Sequence, residues 1–310
     1  MTYKKIACLG ECMVELSPLD NDTYASGFAG DSLNTAIYLQ RSLLQRPFKT
    51  SYVTALGADT LSHKIRAFIA SETIDTSLVG TVPDKHPGLY SIELDADGER
   101  SFTYWRGDSA ARKLLKGGLT AEQQRQLVED FDLIYFSGIS IAILDTQSRQ
   151  KLLNLLTAAR ERGTRIAFDS NYRPALWESE EVAREVIDQY LTITDIAMVT
   201  FDDEQSLNRD AAPEETLARL KAKGVAEIVV KNGSTGCLVH SAGFEGLVAS
   251  EKVETVVDTT SAGDAFNAGY MAARLCEQPP ETAAVFAHQL AGSVIQHKGA
   301  IIPLSECPTI

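Results

Sequence analysis

The stretch Asp258-Thr259-Thr260-Ser261-Ala262-Gly263-Asp264-Ala265-Phe266 carries the residue types that phosphoryl chemistry needs. Its small side chains let the backbone approach a phosphate closely, and a helix starting here after a short strand presents unsatisfied N–H groups in its first turn. Such donors can hold the charge that develops on a group in transfer. Asp264, in that first turn, can take a proton from an attacking hydroxyl. An ordinary N-capped helix with an acidic first turn has the same composition, so these residues alone leave both readings open.

Other stretches suit a polar ligand. In Gly27-Phe28-Ala29-Gly30-Asp31-Ser32-Leu33-Asn34, Gly30 permits close backbone approach, Asp31 can accept hydroxyl donors, and Asn34 can donate and accept. Asp31 or Ser32 can equally cap a helix over 33–44, and the two uses are compatible. Asp169-Ser170-Asn171-Tyr172-Arg173-Pro174 follows an expected strand, at the sheet edge where α/β proteins usually bind ligands. Val230-Lys231-Asn232-Gly233-Ser234-Thr235-Gly236 is a Gly-rich turn that reads equally well as a plain hairpin. Arg106 and Arg173 can converge on one carboxylate through their guanidinium forks, with Tyr90 and Tyr104 adding hydroxyl donors. The alternatives are a solvated hairpin residue for Arg106 and a structural ion pair for Arg173.

Short apolar runs alternate with amphipathic stretches, the pattern of a parallel sheet crossed by helices. Strands are expected over 6–9, 52–56, 133–136, 166–168, 196–199 and 228–230. Most are apolar throughout, as strands covered on both faces would be. Helices are expected over 33–44, 61–71, 121–129, 146–162, 179–190, 214–222, 262–275 and 282–296. Within 146–162, Leu152, Leu155, Leu156 and Ala159 recur at helical spacing, and Arg149, Lys151 and Arg160 are expected to face elsewhere. Two stretches break the rhythm. Residues 12–30 are extended without a helix, and 88–107 alternate like a hairpin turning at Asp97-Gly98. The expectation is a small separate sheet acting as a lid over a cleft. An edge hairpin of the main sheet is the alternative.

Charge narrows the partners. Lys and Arg number 29 against 42 Asp and Glu, a formal −13, and such a surface repels nucleic acid and anionic membranes. It repels a nucleotide too, so a phosphate site must come from local backbone N–H groups and a few placed cations. The five cysteines are scattered and odd in number, the usage of reduced thiols in a cytoplasm. The start, Met1-Thr-Tyr-Lys-Lys-Ile-Ala, lacks the apolar run of a secretory signal, and no segment is apolar enough to span a bilayer. A single α/β domain over 1–310 is expected, with a lid inserted from about 12–30 and 88–107.

Residues 258–264 resemble the C-terminal signature of the ribokinase-like, or PfkB, family of carbohydrate kinases. Residues 27–34 resemble its N-terminal sugar motif, with Ala29 where the family has the first glycine of a pair. The resemblance implies a three-layer α/β sandwich with a central, mostly parallel sheet and a small β-sheet lid, acting as an ATP-dependent sugar kinase. It makes Asp264 the catalytic base, gives Ala262, Gly263 and Asp264 a backbone anion hole, and sets Gly30, Asp31 and Asn34 on sugar hydroxyls. Asn171, Lys231, Gly233, Ser234, Gly236 and Gly263 fall to the nucleotide, and His288 to adenine. The family's Asn-x-x-Glu motif for Mg²⁺ reads Phe201-Asp202-Asp203-Glu204: Glu204 matches and Phe201 replaces the Asn. Mg²⁺ is still expected, because ATP brings it. Asp258 and the Thr260 carbonyl are the implied ligands of a monovalent cation such as K⁺, and a homodimer or higher homo-oligomer through the lid is implied as well.

Further motifs resemble the branch of the family that phosphorylates a keto-deoxy sugar acid at its 6-hydroxyl, in hexuronate breakdown or an Entner–Doudoroff branch. They are Pro87-Gly-Leu-Tyr90, Tyr104-Trp-Arg106, Phe136-Ser-Gly-Ile-Ser140, Asn171-Tyr-Arg-Pro174 and Lys298-Gly-Ala-Ile-Ile-Pro303. On that reading Tyr90, Tyr104, Arg106 and Arg173 grip the acid. A fructokinase- or ribokinase-type enzyme is the alternative. A non-catalytic sugar-binding protein is disfavoured by the retained Gly263 and Asp264. A dinucleotide dehydrogenase is disfavoured by Gly10-Glu11-Cys12-Met13, which lacks the glycine spacing a pyrophosphate requires.

Overall fold

A computed structural model describes residues 4–19, 23–94 and 100–310; the Asp97-Gly98 turn lies outside these. The strands are β1 (Lys4–Leu9), β2 (Met13–Pro18), β3 (Tyr24–Ala29), β4 (Phe48–Leu56), β5 (Val79–Thr81), β6 (Gly88–Leu94) and β7 (Arg100–Trp105), then β8 (Leu133–Ser137), β9 (Arg165–Asp169), β10 (Ile196–Thr200), β11 (Glu227–Lys231), β12 (Cys237–Ser241) and β13 (Phe244–Val248). The helices are α1 (Asp31–Ser42), α2 (Thr60–Ser71), α3 (Ala121–Glu129), α4 (Gly138–Ala142) and α5 (Thr146–Glu161). They continue with α6 (Glu180–Leu191), α7 (Phe201–Asn208), α8 (Pro213–Ala222), α9 (Ala262–Leu275) and α10 (Pro280–Val294).

Nine strands form the main sheet in the order β13-β12-β11-β10-β9-β8-β1-β4-β5. Every pairing from β5 to β11 is parallel, and β12 and β13 add an antiparallel edge. The pleat sends alternate side chains to two cores. Along β1, Ile6 and Cys8 join the core beneath α1, α9 and α10, while Ala7 and Leu9 join the one beneath α5 and α6. Both faces are therefore covered, which is why these strands read as unbroken apolar runs. On α5, Leu152 and Leu156 are fully buried, each contributing about 1.5–3 kcal/mol of transfer free energy. Among the described residues no helix is long and apolar enough to cross a membrane.

The second sheet has four strands, β3-β2-β6-β7. The hairpin of β6 and β7 thus joins residues 13–18 and 24–29 instead of extending the main sheet. Tyr90, Phe102 and Tyr104 cluster on one of its faces, with ring centroids 5.7–6.3 Å apart.

Several local expectations are corrected. The N-cap of α1 is Gly30, with no side-chain cap from Asp31 or Ser32. Arg149 faces inward: its Nε and Nη2 donate to the carbonyls of Ile141 (3.0 Å) and Ala142 (2.9 Å) and its guanidinium lies over Trp177. It thereby gives the buried C-terminal carbonyls of α4 side-chain partners. No strand precedes α9, since residues 249–260 are irregular. The segment 201–208 is a helix, α7, whose first turn carries Asp202, Asp203 and Glu204, where the helix dipole favours negative charge.

Candidate active site

The C-terminal ends of β1, β9, β10 and β11 and the N-terminus of α9 open on a cleft of about 720 Å³, closed on its far side by the four-stranded sheet. Glu11, Asp169, Thr200 and Lys231 reach it from the strand ends, and Tyr90, Phe102 and Tyr104 from the small sheet.

The turn before α9 is held by Ser261 in the left-handed region, at φ 65°. This sharp entry points the first turn of α9 into the cleft. Ala262 N–H donates back to the Thr259 carbonyl at 3.2 Å, so it is not a free donor. The first helical bond runs from Ala265 N–H to the Ser261 carbonyl, 2.9 Å. The amides of Gly263 and Asp264 precede that bond and remain for an anion. The expected three-amide hole is therefore a two-amide hole in this structure. A Cβ on Gly263 would lie 3.7 Å from Lys231 Nζ, which puts an ammonium beside these donors.

Asp264 is buried. Its Oδ2 accepts from Asn34 Nδ2 at 2.9 Å and from Ser261 Oγ at 3.1 Å. Burial, reinforced by the negative Asp31 nearby, pushes the carboxyl up to about 7 against the stabilising Asn34 hydrogen bond. A carboxylate so placed exchanges protons near neutral pH, as a general base should.

Gly30 is dictated by packing: a Cβ there would come within 2.2 Å of the Glu11 carbonyl. Its N–H donates to Asn34 Oδ1 at 3.3 Å, fixing the side chain that reaches Asp264. Asp31 accepts from Asn171 Nδ2 at 3.0 Å, and burial raises its carboxyl above the ordinary range. Asn171, expected on the nucleotide side, is thus tied to Asp31.

Both arginines line the cleft, and each already has a carboxylate partner. Arg106 donates through Nε (2.8 Å) and Nη2 to Glu11, which also accepts from Ser109 Oγ. Arg173 donates from Nη1 to Asp203 Oδ1 at 3.0 Å and to the Tyr172 carbonyl at 2.8 Å. Tyr90 spends its hydroxyl on Glu15, leaving its ring, and not a free O–H, to the cleft. Tyr104 is half exposed.

Under the cleft floor, Lys231 Nζ donates to Asp169 Oδ2 (3.0 Å) and Asn267 Oδ1 (2.9 Å), and Asn267 Nδ2 donates to the same Asp169 oxygen (2.7 Å) and to Tyr135 OH (3.2 Å). All four side chains are buried, and the network fixes the ammonium next to α9. Sequence reasoning missed Asn267, although its spacing three residues after Asp264 puts both on one helix face. Glu11 was missed as a partner because nothing local marks it.

Five expected site residues do not line this cleft: Glu204, Gly233, Ser234, Gly236 and His288. Glu204 is buried and accepts from Arg219 Nη2 (2.6 Å) and Asn208 Nδ2 (2.9 Å), so its carboxylate is committed to the protein; Asp202 and Asp203 of the same turn face the cleft instead. Gly233 and Gly236, at φ 51° and 115°, make the turn from β11 into the antiparallel β12, the plain hairpin geometry. His288 packs edge-on to Phe266, with Nε2 3.2 Å from the Val248 carbonyl. Asp258 lines the cleft and accepts the Thr260 and Gly299 amides.

This chain belongs to the pfkB family of carbohydrate kinases, whose family model matches residues 3–307. It is 46% identical over 312 residues to the 2-dehydro-3-deoxygluconokinase of Escherichia coli K12, covering 98% of this chain and 99% of that one. Against the 2-dehydro-3-deoxygluconokinase of Dickeya dadantii the identity is also 46% over 312 residues, with 99% and 100% covered. The crystal structure of 2-dehydro-3-deoxygluconokinase from Thermotoga maritima shares the fold, with a TM-score of 0.85, 19% identity and 98% and 97% coverage.

Proposed function

We propose that the protein transfers the γ-phosphoryl group of ATP to the 6-hydroxyl of 2-dehydro-3-deoxy-D-gluconate, giving ADP and the 6-phosphate. The carrying observation is a buried carboxylate poised near 7, at the mouth of two unsatisfied amides, in one cleft with two guanidinium groups. The near-full-length match to two 2-dehydro-3-deoxygluconokinases supports the choice of acceptor.

In this reading Asp264 accepts the 6-hydroxyl proton as that oxygen forms its bond to phosphorus and the bond to the ADP oxygen breaks. Asn34 and Ser261 hold the carboxylate by Oδ2, leaving Oδ1 for the substrate. The Gly263 and Asp264 amides, with Ala262 completing the turn, stabilise charge on the transferring group, and Lys231 adds its ammonium. Gly30, Asp31 and Asn34 take the sugar hydroxyls. Arg106 and Arg173 take the carboxylate, with the rings of Tyr90 and Tyr104 above. Lys231, Gly233, Ser234, Gly236 and His288 belong to the nucleotide side, and Asn171 bridges the two by holding Asp31.

Among the described residues no cluster of three or more acidic, His or Cys side chains can hold a metal alone. Asp202 and Asp203, two hard oxygen donors that line the cleft, would hold Mg²⁺ carried in on the nucleotide. Mg²⁺ so held supplies charge neutralisation across the phosphates. A monovalent cation such as K⁺ belongs at Asp258 and the Thr260 carbonyl. Trp105, 59% exposed on the face of β7 opposite Phe102 and Tyr104, supports a homodimer paired through the lids. A cytoplasmic location fits five thiols with no disulfide.

The test is coupled ADP release with this sugar acid, set beside fructose and ribose. Turnover above the ATP-only rate with the acid, and little with the neutral sugars, is expected. A rate with the acid equal to the blank rejects the proposal.

A further inference from the structure

Carboxylates outnumber cations in the cleft lining, yet the proposed acceptor and the nucleotide are both anions. Lys231 is offset by the buried Asp169, and Arg106 by the buried Glu11. These two pairs do not exchange readily: both members are desolvated, and parting them strands a charge without water. Arg173 differs. Its side chain is 51% exposed, and only Nη1 touches Asp203, at a single carboxylate oxygen. The Asp203 side chain is 19% exposed, so the pair is half-exposed, and a single-contact pair open to water on one side is worth about 1 kcal/mol. No hydrogen bond from Arg173 Nε or Nη2 is formed among the described residues, so half the planar fork is unused.

From this contrast we infer that Asp203 is a placeholder for the acceptor's carboxylate, occupying Arg173 in the free enzyme and yielding it when the sugar acid binds. The inference rests on the reading of the acceptor as a sugar acid. An incoming carboxylate has the same chemistry as Asp203 but can engage the fork through two oxygens. The displaced Asp203 is not stranded, because it sits in the first turn of α7, where the helix dipole favours its charge. Asp203 thereby sets acceptor affinity and selectivity: a neutral sugar lacks the carboxylate with which to displace it. Arg106, locked by Glu11, is the fixed half of the grip, and Arg173 the exchangeable half.

The experiment measures equilibrium binding of the sugar acid and of its neutral methyl ester, without nucleotide, to wild type, Asp203→Asn, Arg173→Ala and the double variant. Asp203→Asn should bind the acid about two- to fivefold tighter, the worth of a half-exposed, single-contact ion pair, and bind the ester as wild type does. In the Arg173→Ala background the same change should make no difference. Unchanged or weaker acid binding by Asp203→Asn overturns the inference. So does an equal gain for acid and ester, or a gain that survives without Arg173, since either would be a general field effect. Asp203→Ser serves as a second variant, with thermal melting to check that each chain is folded. A wild type that turns over the acid while Asp203→Asn fails these tests removes only the exchange. A wild type that neither binds nor turns over the acid removes the acceptor assignment and the exchange with it.

Discussion

The two walls of the cleft are built to different standards. On the main-sheet wall, Asp264, Lys231, Asp169 and Asn267 are buried, and each is hydrogen-bonded to the next element: α9 to α1 through Asn34, β11 to β9 and α9 through Lys231. On the small-sheet wall, Phe102, Tyr104 and Trp105 are 41–59% exposed. Among the described residues, the Arg106–Glu11 pair ties this wall to the cleft floor. Proton transfer needs a carboxylate held within a fraction of an ångström, and the first wall provides that. Admitting and releasing a sugar needs a wall that moves at low cost, and the second wall rests on a small core of Met13, Ala29, Tyr90 and Ile92, with the side chains of β7 left exposed.

Substitutions should separate the walls. The largest effect is expected at the base. Asp264→Asn should lower kcat by about a thousandfold or more, with KM for the acceptor within about threefold. The same variant should be more stable than wild type above pH 8. The folded carboxyl is raised to about 7 from an ordinary 3.8, so folding favours its protonated form. Stability from this group is therefore full below about 4 and lost as pH rises towards 7, and the amide escapes the loss. A gain of roughly 2–4 kcal/mol in denaturant unfolding at pH 8, shrinking at pH 4, is expected.

Next comes Lys231→Met, which leaves Asp169 buried and unpaired. It should cost about 3–5 kcal/mol of stability by urea unfolding, together with a fall in kcat. A variant as stable as wild type would contradict the account of a rigid wall. On the other wall, Arg106→Ala should raise KM for the sugar acid about ten- to a hundredfold, because a charge-assisted contact is lost, and should cost about 3–5 kcal/mol of stability as well, because Glu11 is left buried and unpaired. Turnover of a neutral sugar should respond far less in a direct competition assay. The smallest effect is expected at Tyr104, half exposed on the small sheet. Tyr104→Ala should change unfolding stability by no more than about 0.5 kcal/mol while raising KM a few fold.

How well the sequence could be read follows the same division. Helices with strong period and clear signals at their ends, such as α3 and α9, were legible to the residue, and the parallel strands except the three-residue edge strand β5 were legible as runs apolar on both sides. The helix α7 was not, because eight residues beginning Phe-Asp-Asp-Glu carry little period and look like a ligand-bearing loop. Arg149 was expected outside because charge normally stays in water, yet carbonyls at the end of α4 gave it partners inside. For the site, residue types at chain turns were legible, so Asp264, Gly30, Asn34 and both arginines do share a cleft. Pairing was not. Glu11 lies 95 residues from Arg106, and only the folded chain shows that the two meet. Glu204 fits a motif by position, but Arg219 on the neighbouring helix α8 claims its carboxylate.

The central claim is that burial tunes Asp264 as the proton acceptor in a cavity shared with the sugar. Its most direct test is the pH profile of kcat/KM for the sugar acid between pH 5 and 9. The account predicts a limb that falls tenfold per unit on the acid side and bends near 7, absent from the residual rate of Asp264→Asn. A rate flat down to pH 5, or a bend near 4 like that of an ordinary exposed carboxylate, would contradict it.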